Sequence, residues 1–208
     1  MNKERSNQII NELKIVIPNP KCELDFHNTF ELTVAVLLSS QTTDKRVNQV
    51  TPILFDKYKT ILDLANARYE DVYPIILPLG LAKNKSINII HLANVIHEKY
   101  NDIIPNDMKE LESLPGVGHK TASVVLALGY HIPAMPVDTH LYRMAKRLGY
   151  IKESEDIIKA EEAYKKYIPK ESWIEAHHLF LLFGRYICKA SNPNCKDCRL
   201  KPYCKYKV

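Results

Sequence analysis

Residues 111–138 read LESLPGVGHKTASVVLALGYHIPAMPVD, and the rest of the chain is organised around this stretch. Apolar residues recur at helical spacing on both sides of Pro115-Gly116-Val117-Gly118, a run too rich in glycine and proline to remain helical. The pattern predicts a helix, a tight hairpin and a second helix over about residues 107–129. The two glycines lack Cβ atoms, so the hairpin backbone can approach another surface closely. Its N–H groups would face outward at the start of the second helix, which is a favourable site for a phosphate.

Lys120 is the residue of this stretch that stability does not explain. It falls in the predicted first turn of the second helix, where the helix macrodipole disfavours a cation. A lysine acts as a nucleophile only in its neutral form, and the helix end favours that form by only ~0.3–1 kcal/mol. Desolvation by an enclosed substrate, or nearby cations, must supply the rest of the free energy that makes the amine neutral.

Asp138 stands just before another helical run, and two roles are open to it. Aspartate is a favourable helix N-cap, and Pro136-Val137 would set the entry of the chain. A carboxylate that accepts backbone N–H bonds stays ionised, so it could also help to deprotonate a lysine and stabilise developing positive charge. The two roles are compatible.

Composition and periodicity predict an all-α protein. The chain has 208 residues, 46% of them hydrophobic, which is enough for one core or two small ones. Apolar residues recur at helical spacing, and strand-type alternation persists nowhere for more than a few residues. We expect two helical domains. Residues 20–131 carry the hairpin, and residues 1–19 join residues 132–208 in the other domain.

The N-terminus gives no sign of export or membrane insertion. MNKERSNQII contains no apolar signal region, and the run from Val34 to Leu38 is far too short to span a bilayer. We therefore expect a cytoplasmic protein with no membrane partner. We also expect it to be a monomer.

The C-terminal segment is basic. From Cys188 to Val208 there are six basic residues and one acid, an excess equal to the net charge of +5 of the whole chain. Such a patch favours a nucleic-acid partner. Lys189, Lys196 and Arg199 are candidate phosphate contacts, although each could also be merely solvated.

The same segment holds four of the five cysteines, in the pattern C-x6-C-x2-C-x5-C. In a reducing compartment, four such closely spaced cysteines (Cys188, Cys195, Cys198 and Cys204) indicate a metal centre rather than disulfides. Four thiolates can hold either a tetrahedral zinc ion or a [4Fe–4S] cluster, and the spacing alone does not decide between them. The lone Cys22 is interpreted as a small buried hydrophobe.

Three further segments are explained by local structure alone. In LLSSQTTD at residues 37–44, Thr43 is a predicted cap for the next helix, which leaves Gln41 in an exposed turn. Leu81 would anchor the long helix that follows it. Thr51-Pro52 is predicted to be another N-cap, with proline in the first turn.

These segments together resemble the endonuclease III family of DNA glycosylases. The family pattern L-P-G-V-G-x-K-T-A is similar to Leu114–Ala122, V-D-T-H to Val137–His140, and LLSxQxxD to Leu37–Asp44. The family also has the cysteine spacing found here and holds a [4Fe–4S] cluster with it. The resemblance implies two helical domains, double-stranded DNA with damaged or abasic sites in the groove between them, and a cluster loop held against the phosphate backbone.

The resemblance also implies a role for each candidate residue. Lys120 would attack C1′ of the damaged nucleotide, expel the base and form a Schiff base that permits β-elimination, with Asp138 assisting. Gln41 would fill the space left by the extruded base, and Leu81 would be an apolar wedge. The remaining contacts to DNA would come from the hairpin, the helix after Asp138 and the basic tail: Gly116, Val117, Gly118, His140, Lys189 and Arg199.

The implied function is bifunctional glycosylase and AP lyase action on oxidised or ring-saturated pyrimidines. Ala82 stands where the family usually has an aromatic residue, which leaves the range of lesions open. One alternative is the adenine-mismatch branch of the same superfamily, but that branch generally lacks a lysine at the position of Lys120. A non-catalytic DNA-binding module is the alternative from another class, because hairpins of this kind also serve as phosphate clamps.

Overall fold

The computed structural model describes residues 1–206, so Lys207 of the predicted basic tail lies outside the described residues. Within that range the regular structure is helical throughout, with no strand, which confirms the predicted all-α class. The α-helices, numbered in chain order, are α1 Lys3–Val16, α2 Thr29–Leu38, α3 Asp44–Lys57, α4 Ile61–Ala65, α5 Tyr69–Ile76, α6 Ala82–Tyr100, α7 Met108–Glu112, α8 His119–Val124, α9 Thr139–Leu148, α10 Ile157–Tyr167 and α11 Trp173–Tyr186. Short 3₁₀ turns cover Leu77–Leu79, Lys170–Ser172 and Lys201–Tyr203, and a π turn covers Val125–Gly129.

The chain forms two compact units. One is a continuous segment, Glu23–Ile132, and we call it the hairpin unit. The other combines Met1–Cys22 with Pro133–Val208, and we call it the cysteine unit.

Helix α2 is the centre of the hairpin unit. Asn28 caps its first turn by accepting from the backbone N–H of Glu31, and every residue from Leu32 to Leu38 is buried. Each buried Leu, Val or Phe side chain contributes about 1.5–3 kcal/mol relative to its exposed state. Helices α3, α6 and α8 and the π turn pack around α2, so the loops that leave these helices start from a fixed core.

The cysteine unit is built on aromatic packing. Tyr150, Tyr164 and Phe180 are buried with ring centroids 4.7–5.8 Å apart, where ring pairs contribute beyond their buried area. Ser6 of α1 shares a buried hydrogen bond of 2.7 Å with the hydroxyl of Tyr150. Helix α1 thereby belongs to the core that α9, α10 and α11 form from the other end of the chain.

The predicted cap at Thr51-Pro52 is wrong. Both residues lie inside α3, and the hydroxyl of Thr51 donates to the carbonyl of Val47 one turn earlier. A proline inside a helix costs about 3 kcal/mol or more, but the buried face formed by Val47, Val50 and Leu54 continues across it and offsets that cost. The predicted cap at Thr43 is confirmed.

None of the helices in residues 1–206 combines the length and the apolar character needed to cross a bilayer.

Candidate active site and cysteine centre

The predicted helix-hairpin-helix is present, with α7 and α8 on either side of the glycine turn. Gly116 has φ +76°, a left-handed conformation that favours glycine, and a Cβ there would meet Asn88 and Leu37 at 3.0 Å. Gly118 is the N-cap of α8 with an ordinary φ of −98°, and no heavy atom of residues 1–206 lies within 4 Å of a Cβ built on it. Only at Gly116 do the fold and the predicted phosphate contact both require glycine.

Val117 lies between the two glycines but differs from them. Its side chain is buried, and its N–H already donates to the carbonyl of Leu114 at 3.1 Å. The side chain therefore anchors the hairpin in the hydrophobic core, and its backbone N–H is engaged within the turn.

Lys120 is the second residue of α8, and its side chain is exposed. The preceding His119 pairs with Glu112 of α7 at 2.6 Å, which braces the two helices of the hairpin against each other. Lys120 is thus presented to solvent from a first turn whose position the hairpin fixes.

Asp138 caps α9, as the sequence predicts. Its Oδ1 accepts from the backbone N–H groups of His140 at 2.8 Å and Leu141 at 2.9 Å. The segment before it is also fixed, because Nδ1 of the buried His177 donates to the carbonyl of Pro136 at 2.8 Å. This contact has no sequence signal, since α11 reaches Pro136 only through the tertiary fold.

His140 is half-buried and faces inward. Its Nδ1 accepts from Nη2 of Arg143 at 3.1 Å. Burial lowers the pKa of His140; Asp138 opposes that shift, while Arg143 and Arg185 add to it. The neutral imidazole is thereby favoured, so His140 is better suited to hold Arg143 than to bind phosphate as a cation.

Arg143 and Arg147 of α9 hold the start of the cysteine loop, residues 188–204, and neither arginine was predicted from the sequence. Arg143 donates to the carbonyls of Gly184 at 2.6 Å and Cys188 at 3.0 Å. Nη1 of Arg147 donates to Sγ of Cys188 at 3.1 Å and to the carbonyl of Lys189 at 2.8 Å. The two arginines are one helical turn apart, so they lie on the same face of α9. That spacing is the one sequence signal that both could contact the same segment.

The four predicted ligand cysteines line one cavity at the end of α11. Burial raises the pKa of the Cys198 thiol, and the other three thiols raise it further, so the four sulfurs lie near enough to influence one another. Within residues 1–206, no three Cys, His, Asp or Glu side chains are gathered closely enough to hold a single metal ion. The donor set is four thiols with an arginine donor on one of them, which suits an anionic thiolate centre.

Two of the three predicted basic contacts, Lys189 and Arg199, differ in their surroundings. Lys189 is exposed, and its backbone carbonyl is held by Arg147. Arg199 forms an ion pair of 2.6 Å with Glu12 of α1, although its side chain remains 48% exposed. A phosphate would have to compete with Glu12 for Arg199.

Gln41 and Leu81 lie in two loops of the hairpin unit, after α2 and before α6. Both are exposed, and both have left-handed backbone conformations, with φ of 54° and 51°. The hydroxyl of Thr42 donates to the carbonyl of Leu79 at 2.6 Å and joins the two loops. The structure therefore brings these two predicted DNA contacts onto one linked pair of loops.

The predicted residues divide between the units. Lys120, the hairpin glycines, Gln41 and Leu81 belong to the hairpin unit, whereas Asp138, His140 and the cysteines belong to the cysteine unit. A helix-hairpin-helix that presents a lysine, together with a capped aspartate and a four-cysteine loop, is typical of the DNA glycosylases that cleave the strand after removing a base.

Comparison with known proteins agrees with this class. Residues 34–170 match the HhH-GPD superfamily base excision DNA repair protein family. Endonuclease III of Bacillus subtilis is 43% identical over 190 residues, covering 91% of this chain and 87% of the relative. Endonuclease III of Escherichia coli K12 is 38% identical over 207 residues, covering 100% of this chain and 98% of the relative. The chain belongs to the endonuclease III family within the HhH-GPD superfamily, and it is a DNA glycosylase with AP lyase activity in base excision repair.

Solved structures give the same result. A trapped covalent intermediate of endonuclease III with DNA matches with a TM-score of 0.95 and 41% identity, covering 99% of this chain and 96% of that one. A thermostable thymine-DNA glycosylase matches with a TM-score of 0.83 and 20% identity, which shows a common fold.

Proposed function

We propose that the chain removes oxidised or ring-saturated pyrimidines from duplex DNA, using Lys120 as the nucleophile. The observation that carries this proposal is the exposed Lys120 in the first turn of α8, directly after the glycine hairpin. The helix end disfavours a cation there, so the lysine is explained by chemistry rather than by stability.

The reaction has two stages, loss of the base at C1′ of the damaged nucleotide and then loss of the 3′ phosphate. The neutral amine of Lys120 forms a C–N bond to C1′ as the glycosidic bond breaks and the base leaves with its electron pair. Loss of a proton from the nitrogen and ring opening give an imine. Removal of a proton from C2′ then expels the 3′ phosphate by β-elimination, and hydrolysis of the imine releases the lysine.

Asp138 supports this chemistry through its charge. The carboxylate is held by two backbone N–H groups, so its orientation is fixed before substrate arrives. Such a preorganised charge stabilises positive charge that develops on the sugar and accepts a proton from the attacking amine.

Two loops and the hairpin bind the distorted duplex. Gln41 occupies the space left by the extruded base, since its amide carries both donors and acceptors. Leu81 enters the base stack as an apolar wedge. The backbone of Gly116 and Gly118 approaches a phosphate, and the buried Ala82 supplies no aromatic surface for stacking.

The four cysteines hold a [4Fe–4S] cluster in this proposal, since their spacing is that of the family and they line one cavity. When bound, the cluster cross-links the loop between Cys188 and Cys204 and acts structurally. Arg147 stabilises the thiolate of Cys188 and fixes the carbonyl of Lys189, so that the Lys189 side chain is presented to the phosphate backbone. A DNA substrate requires the enzyme to share its compartment, which we propose to be the cytoplasm, with a monomer as the active unit.

Borohydride trapping on abasic duplex DNA tests the nucleophile. Lys120→Gln keeps a polar side chain but cannot form an imine, so it should still bind abasic DNA while losing both strand cleavage and the trapped adduct. Lys109→Gln removes another exposed lysine from the same motif and should trap like the wild type. Full trapping by Lys120→Gln would overturn the assignment.

A further inference from the structure

Lys85, in the first turn of α6, is buried although it carries an amine. Its side chain is only 4% exposed, and burial lowers its pKa. Within residues 1–206 its Nζ has no carboxylate partner and donates to the carbonyl oxygen of Leu79 at 3.1 Å. An apolar side chain of the same length would fill this space without desolvating a charge or opposing the helix dipole, so stability does not explain the lysine.

The carbonyl that Lys85 binds has a second donor. Oγ1 of Thr42 reaches the same oxygen of Leu79 at 2.6 Å. Leu79 stands two residues before Leu81, and Thr42 directly follows Gln41. The carbonyl oxygen of Leu79 therefore links the loop that carries Gln41 to the loop that carries Leu81 by a hydrogen bond. The second hydrogen bond, from Lys85, links both loops to the first turn of α6.

The backbone at these loops needs such support. Gln41, Gly80 and Leu81 have φ of 54°, 66° and 51°. Residues with side chains adopt these left-handed values only where the surrounding structure holds them. The side chains of Gln41 and Leu81 remain exposed, so their own contacts do not hold the loops in place.

We propose that Lys85 is a positioning residue, which acts with Thr42 through the Leu79 carbonyl to hold Gln41 and Leu81 as one rigid wedge that enters the duplex. This inference rests on the proposed function, in which both residues enter the base stack. A fixed distance between Gln41 and Leu81 matters because opening the base stack already costs free energy. If the two loops had to become ordered only on binding, the entropy lost in ordering them would add to that cost. Lys85 itself is too buried to attack a sugar.

The test compares duplex and single-stranded abasic DNA, because only the duplex has a stack to enter and a partner base to displace. Lys85→Met keeps the length and removes the donor. We expect cleavage of the duplex in single-turnover conditions to slow roughly tenfold or more, while trapping on the single strand stays within about twofold of the wild type. With 2-aminopurine opposite the abasic site, the fluorescence increase that the wild type produces on binding should be lost.

Thr42 supplies a matched pair of variants. Thr42→Val removes the hydroxyl at constant shape and should reproduce the duplex defect, whereas Thr42→Ser keeps the donor and should restore duplex cleavage. Lys83→Met removes the same charge from an exposed position in the same turn and measures the effect of charge alone.

The outcomes separate this inference from the proposed function. Equal losses on duplex and single strand, or wild-type duplex cleavage by Lys85→Met or Thr42→Val, would overturn the positioning role. A wild-type protein that forms no adduct with either DNA would instead contradict the proposed function.

Discussion

Asp138 combines a structural task with a proposed chemical one, and a single substitution separates them. Asparagine is as good an N-cap as aspartate, so Asp138→Asn keeps an acceptor for the N–H groups of His140 and Leu141 and removes only the charge. We expect a near-normal melting temperature, with base excision slowed on the order of a hundredfold or more.

The control is Asp156→Asn, which makes the same chemical change at the cap of α10. Thermal unfolding and single-turnover excision of a ring-saturated pyrimidine should both be unchanged there. If Asp138→Asn loses roughly 1 kcal/mol or less of stability and excises normally, the residue is a cap alone.

At the scale of single residues, sequence predicts what depends on near neighbours. The cap by Asp138 and the placement of Lys120 in the first turn of α8 follow from residues within a few positions, and both are observed. Arg147 is different, because its acceptors at Cys188 and Lys189 lie in a segment that only the tertiary fold brings near. Lys85 has its acceptor close by in sequence, at Leu79, but no local pattern indicates that its side chain is buried. Both lysine and arginine are interpreted as surface residues by default, so their burial has no local signal.

At the scale of elements, two glycine substitutions in the hairpin should act for different physical reasons. Gly118→Ala adds a Cβ that meets no atom in the described part of the chain, so a weaker affinity for DNA would report the approach of phosphate alone. Gly116→Ala is strained by its positive φ and by contacts at 3.0 Å with Asn88 and Leu37, so it should also lower the melting temperature. Affinity for a short duplex and thermal unfolding, measured on both variants, separate the two effects.

Gly80→Ala is a suitable reference for the strain, since Gly80 too has a positive φ but no atom of residues 1–206 lies within 4 Å of its Cβ position. It should destabilise the protein less than Gly116→Ala. Unchanged DNA affinity in Gly118→Ala would show that no phosphate lies against that residue.

In helix α3 the sequence predicts a helix start where the structure has a continuous helix. Threonine followed by proline is a good local signal for a helix start, and it predicts one at Thr51-Pro52. The apolar spacing of Val47, Val50 and Leu54 is a longer-range signal, and it prevails because burial of that face exceeds the cost of one missing hydrogen bond.

At the scale of the whole molecule, the cysteine centre should determine both colour and DNA binding. We expect the pure protein to be brown, with about four irons per chain. Cys198→Ser should lower the iron content and weaken DNA binding, because the loop after α11 loses one of its anchors. Cys22→Ser should leave the iron content unchanged.

Iron analysis and visible absorption of both variants, prepared anaerobically, measure this prediction. A colourless wild-type protein with one zinc per chain would favour the tetrahedral zinc site instead. Full iron content in Cys198→Ser would remove that residue from the set of ligands.

The charge of the basic tail predicts a salt-dependent affinity for any duplex. Lys189→Ala should lower the slope of log affinity against log salt by about one, the value for one lost phosphate contact. Arg199→Ala should lower it by less, because Glu12 already neutralises that side chain. Lys166→Ala, an exposed change on α10 with the same loss of charge, serves as the reference and should leave the slope unchanged.

The way the cysteine unit is assembled has a consequence for synthesis on the ribosome. The hairpin unit is one continuous segment and can fold soon after Ile132 has emerged. Helix α1 is made before the hairpin unit, yet its partners are made after that unit: its apolar face packs against α11, Arg5 binds the carbonyl of Tyr203, and Glu12 binds Arg199. The apolar face of α1 therefore stays uncovered until α11 has been made, and a nascent chain stalled before that point would expose this face to proteases and chaperones.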